Sequence, residues 1–144
     1  MGENYFYTSL GNSISFGDKD VVGQMNQLIQ TEKINSVAFI LSEDNRILLD
    51  AIGKRKYSDI QGLNLFQEGI LEKKQIVELF WGNTNLNYLI QSYHLNTKIK
   101  ELCCVLNQDY FEKLTIIGKI YNKTKGEFID IYSDLVCKNI FSLN

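Results

Sequence analysis

The chain has 144 residues, 44% of them hydrophobic and 22% charged, with a formal net charge of -2 and a pI near 5.4. That length suits one domain, residues 1–144, with a sizeable buried core, and the hydrophobic content excludes a disordered chain. The slight acidity opposes general attraction to nucleic acid, no stretch approaches a membrane span, and Met1-Gly2-Glu3-Asn4 lacks the basic-then-apolar pattern of a signal peptide.

In chain order, residues 4–10 are aromatic-rich and strand-like, Gly11-Asn12 is a turn signal and residues 13–16 alternate, which predicts a hairpin. Asp18 or Asp20 then caps a helix over residues 20–32, whose apolar positions Val21, Val22, Met25, Leu28 and Ile29 recur at helical spacing. Residues 36–41 and 46–52 are two apolar runs around the polar turn Ser42-Glu43-Asp44-Asn45, predicting a second hairpin, and Lys54-Arg55-Lys56 forms an exposed loop after it. Gly62 and Gly69 argue for short pieces over residues 57–81, with a buried strand or short helix at 75–81. Residues 83–93 place Leu86, Leu89, Ile90 and Tyr93 on one helical face. Residues 102–106 have strand composition, although Leu95, Ile99, Leu102, Cys103 and Leu106 also match a helical stripe. Residues 115–121 and 127–132 flank a polar loop ending in Gly126, a third hairpin, and a short helix is expected at 133–141.

These elements add up to an α+β domain, an antiparallel sheet built from hairpins with helices packed on one face. The segment from Met25 to Lys56, helix, strand, acidic turn, strand and basic loop, resembles the central part of profilin-like and roadblock-type interaction domains. That likeness implies a fold analogy and a protein-interaction module.

No P-loop, Gly-x-Ser-x-Gly, His-Glu-x-x-His or dinucleotide fingerprint is present, so no catalytic residue is assigned. Cys103, Cys104 and Cys137 are odd in number and two are adjacent, which fits reduced thiols and a cytoplasmic location. With His94, the single histidine, they lack zinc-ligand spacing, so neither a metal site nor a cofactor is expected. A thiol site using Cys103 or Cys104, His94 as base and Asp109 as orienting group is conceivable, but no spacing requires these residues to meet. Asp18-Lys19-Asp20 has the D-x-D form of some magnesium sites, yet it directly precedes an amphipathic run, where capping is the commoner use. Lys54-Arg55-Lys56 beside Tyr57 has the chemistry to meet nucleic acid, against the sign of the whole chain.

Charge placement goes further. A helix over 20–32 and the strand after it are of similar length, about 18 and 23 Å, and the join between them is short enough to force a reversal. Asp18, Asp20, Glu43 and Asp44 then share one end of the domain, and Lys33, Lys54, Arg55 and Lys56 the other. Proline is absent, Arg supplies only 2 of 15 basic residues, and Asn, Ile and Lys abound, a bias with AT-rich codons. A small, acidic, motif-free cytoplasmic chain from an AT-rich gene is similar to bacterial immunity proteins and antitoxins. That similarity implies an inhibitor that covers a basic, nuclease-type toxin domain with an acidic surface formed by Asp18, Asp20, Glu43 and Asp44. A profilin-like or roadblock-type interaction module and a small thiol-dependent enzyme are the alternatives, and the oligomeric state stays open.

Overall fold

In the computed structural model, which describes residues 2–107, 109 and 112–132, the Asp18 side chain accepts from the amides of Asp20 and Val21 at 2.9 and 3.3 Å. It thereby caps α1 (Lys19–Thr31), the helix expected from the spacing of its apolar residues. Before it, the expected hairpin is not formed. Residues 2–9 carry no regular structure, and a 3-10 turn at Leu10–Asn12 follows, with Gly11 and Asn12 both at positive φ. The turn is held from outside itself: Asn12 Nδ2 donates to the Ile40 carbonyl at 2.7 Å, and a Cβ on Gly11 would lie 2.7 Å from Phe66 Cζ. Side-chain anchoring replaces strand pairing here, and only glycine fits against Phe66.

β1 (Ser36–Ser42) is the strand expected, but the hairpin expected at 36–52 gives way to strand, turn and helix. Asn45 caps α2 (Arg46–Ile52), accepting from the Leu48 amide at 3.0 Å, and Leu48, Ala51 and Ile52 bury one helical face. The resemblance to profilin-like and roadblock-type domains loses its second strand with this change. β1 takes its partner from far along the chain, as a parallel pair requires. It pairs parallel with β2 (Thr115–Asn122), Ser36 opposite Thr115 and Ser42 opposite Tyr121. β2 then pairs antiparallel with β3 (Glu127–Asp130), which is the expected third hairpin. The α+β class stands, and the sheet of order β1-β2-β3 is mixed rather than antiparallel throughout. The helix expected at 133–141 lies outside the described residues.

Two longer helices fill the crossover. α3 (Asn64–Trp81) is continuous where short pieces were expected. Glycine inside a helix costs about 1 kcal/mol, and the near-complete burial of Ile70 and Val77 outweighs it. α4 (Leu86–Val105) absorbs both the helix expected at 83–93 and the strand expected at 102–106, because Leu95, Leu102 and Leu106 continue one buried stripe. It crosses directly over β2: a Cβ on Gly118 would meet Ile131 Cδ1 at 2.5 Å and Ile99 Cδ1 at 3.3 Å. Phe39, Leu41 and Ile120 are buried, while Ile40, Ile117 and Phe128 are exposed on the other face of the sheet. Among the described residues no helix is long and apolar enough to cross a membrane.

Candidate binding cleft

The middle of α4, from Leu89 to Leu95, is buried on every side. Its polar members are therefore obliged to find partners within the protein, and each reaches a different segment. Gln91 Nε2 donates to the Glu43 carbonyl at 3.0 Å, Ser92 Oγ accepts from the Tyr132 amide at 3.1 Å, and His94 Nε2 lies 2.8 Å from the Gly11 carbonyl. A carbonyl only accepts, so Nε2 carries the proton. Burial, and then the nearby Lys73 ammonium, push the His94 pKa down to about 3 against the weaker pull of the Gly11 and Asn12 carbonyls. The ring is neutral, and its buried Nδ1 has no hydrogen-bond partner among the described residues. It is a pin for the segment before α1 and not a free base.

One turn further along, α4 faces solvent across a cleft of about 720 Å³. The anchored segment 13–17 forms one wall, the start of α3 another, and the second half of α4 the floor. Among the described residues, Lys73, Lys98 and Lys100 line it against one carboxylate, Glu101. Lys98 Nζ is held 3.0 Å from the Ile14 carbonyl and 2.9 Å from Glu101 Oε2. Among the described residues Lys73 Nζ has the Gly69 carbonyl at 3.5 Å and the face of the Tyr93 ring, 5.9 Å to its centroid. Burial lowers the Lys73 pKa, Lys98 lowers it further, and Glu101 and Glu72 act in the opposite sense. The charge of this ammonium is thus incompletely compensated, while Ile14, Phe16, Phe66 and Val105 give the same cleft apolar walls.

Of the residues singled out in the sequence, His94 and Cys104 lie on the cleft lining, and the four acidic residues fall elsewhere. Asp18 is engaged in capping α1, with Asp20 in the first turn of that helix. Glu43 offers its backbone to Tyr121 and Gln91. Asp44 accepts a short hydrogen bond from Ser42 Oγ, which holds its carboxyl below the usual range against a partly opposing burial, helped by Lys123 and Arg46. Cys103 and Cys104 follow His94 on α4 by an axial rise of about 13–15 Å, too far for a thiol–imidazole pair. Burial, then the neighbouring Cys104, raise the Cys103 thiol pKa, the wrong direction for a nucleophilic thiolate. Cys104 is exposed and lies on the cleft lining. The cleft was not legible because residues 57–81, which carry Lys73, were expected in short pieces and residues 102–106 as a strand. On the continuous helix, Thr97, Lys98, Glu101 and Cys104 lie on one face together with the apolar Val105.

No protein-family model and no curated protein matches the chain. Among solved structures it is similar to the β-carbonic anhydrase CafA of the fungal pathogen Aspergillus fumigatus, with a TM-score of 0.67 and 12% identity, over 92% of this chain and 67% of that one. That finding overturns the expectation of an immunity protein or antitoxin, which rested on charge and on the absence of motifs. The likeness is one of fold: in architecture this chain is similar to a β-carbonic anhydrase.

Proposed function

We propose that the protein binds a small organic anion in the cleft between segment 13–17, α3 and α4. The observation that carries this reading is Lys73, an ammonium group drawn into the cleft beside Lys98 with no ion pair of its own among the described residues. A charge so placed is costly until a counter-charge arrives, and a bound carboxylate or phosphate oxygen supplies it through charge-assisted hydrogen bonds. The test is a titration with acetate and with inorganic phosphate, followed by the amide resonances of Gly69, Thr97 and Lys98. Saturable shifts there that vanish in Lys73→Met support the reading; shifts that persist unchanged in the variant count against it.

The similarity in fold to a β-carbonic anhydrase raises carbonic anhydrase activity. Carbonic anhydrases generate their nucleophile from water on a bound zinc ion. The described residues do not fit one: no group of three or more His, Cys, Asp or Glu is placed to hold a metal, and His94 is committed to Gly11. Binding without a zinc centre is therefore the favoured reading. Carbon dioxide hydration above background by the zinc-supplemented protein, at one tightly bound zinc per chain, would overturn it.

A further inference from the structure

The cleft is much larger than an acetate or phosphate ion, and its charges are not distributed as a phosphate site would need. We propose, building on the anion-binding reading above, that its ligand is a monocarboxylic acid with an apolar body, its head at Lys73 and Lys98 and its body against Ile14, Phe16, Phe66 and Val105. Size is the first argument: about 720 Å³ falls in the range of pockets that enclose whole organic ligands. Charge count is the second. Glu101 already neutralises Lys98 at 2.9 Å, which leaves Lys73 as the inner cation without an ion pair among the described residues, while Lys100 is exposed. One negative charge balances that arrangement, and a phosphate dianion would bring a second against Glu101. The third is the character of the walls. Ile14 and Phe16 are each only 7% exposed, so their position is fixed by the core, and Leu65, on the lining, is 83% exposed and available to cover a ligand's tail.

Isothermal titration of the full chain with octanoate, acetate, 1-octanol and inorganic phosphate tests this. Octanoate is expected to bind at least about tenfold more tightly than acetate, since each buried methylene adds to affinity, and likewise more tightly than octanol, which lacks the charge. Lys73→Met should weaken octanoate by about tenfold or more, the scale of one charge-assisted hydrogen bond, while Lys73→Arg retains part of the affinity and Lys54→Met, an exposed lysine outside the cleft, nearly all. Melting curves identify any variant that fails to fold, and the comparison among ligands on the wild-type chain does not depend on the variants. Equal affinity for octanoate and acetate, or tighter binding of phosphate, would overturn the apolar acid and leave the anion-binding reading standing. Octanol binding as tightly as octanoate, or no binding by any of the four, would remove both.

Discussion

In residues 36–52 the turn after β1 is built on Asn45, and in residues 115–132 the turn after β2 is built on Asn122. Asn45 accepts from the Leu48 amide at its side chain and from the Leu49 amide at its carbonyl, at 3.0 and 2.9 Å. Asn122 accepts from the Lys125 and Gly126 amides in the same two ways, at 2.9 and 2.8 Å. Both strands thus leave the sheet through the same single helical turn, and the fourth residue separates their fates. Leu49 continues into α2, whereas Gly126 adopts a φ of 65°, turns the chain back and starts β3. The lesson concerns which positions carry information: a polar turn between two apolar runs is common to both, and a glycine at the reversal, with a buried i, i+3, i+4 face after the other turn, tells them apart.

The largest expected effect is on that buried face. Leu48 is completely buried, and Leu48→Ala should cost about 2–5 kcal/mol, measured by urea denaturation. Ile129→Ala, a half-buried residue on the edge strand of the hairpin, should cost about 1–2 kcal/mol. Equal losses would mean that α2 contributes no more to the core than β3 does. Next comes the reversal itself. Gly126 has open space where a Cβ would stand, so Gly126→Ala isolates the backbone cost of a left-handed residue, about 1–2 kcal/mol. Gly126→Asn should recover part of the loss, and a neutral alanine would show that the glycine does not decide the turn. Smaller still is the cap: Asn45→Ala should lose about 1 kcal/mol, with Asn45→Asp close to wild type.

The same comparison explains what was legible in the sequence. α1 was legible because a capping aspartate and a helical stripe agree, and the β2–β3 hairpin because alternation and Gly126 agree. α2 was misassigned because Arg46–Ile52 is short enough to satisfy either periodicity, and the parallel pairing of β1 with a strand more than seventy residues away has no local signature. α3 was not legible because the cost of Gly69 is local while the compensating burial of Ile70 and Val77 is tertiary. The cleft was invisible for the same reason. A lysine on an amphipathic helix ordinarily marks a solvated face, and only the packing of α3 on α4 brings Lys73 beside Lys98. His94 drew attention as the single histidine, but its partner Gly11 lies 83 residues away in the chain.

Acid gives the comparison a further axis, with the smallest expected effect. After α2 the chain is held by Asp50, whose carboxylate accepts from the Lys56 amide at 2.8 Å, the Tyr57 amide at 3.0 Å and Gln67 Nε2 at 3.1 Å. Burial raises its pKa, and the Tyr57 and Lys56 amides together with the Gln67 amide outweigh it, so the net shift is downward. A carboxyl depressed in the fold favours the fold above its unfolded pKa and ceases to do so as the pH falls below about 3.8 toward its folded value. The hairpin turn has no carboxylate in this role: Lys125 and Gly126 donate to the neutral side chain and the backbone of Asn122. Hydrogen exchange between pH 5 and pH 3 should therefore lose protection at Lys56 and Tyr57 faster than at Lys125 and Gly126, after correction for intrinsic rates. His94 does not confuse the comparison. Neutral in the fold down to about pH 3, it lowers global stability as the pH falls below 6.5, where only the unfolded chain takes up the proton, and that loss reaches both turns alike. Asp50→Asn, which keeps one acceptor oxygen and cannot titrate, should abolish the difference between the turns. A pH-dependent difference that survives in Asp50→Asn would assign the order of the loop after α2 to something other than this carboxylate.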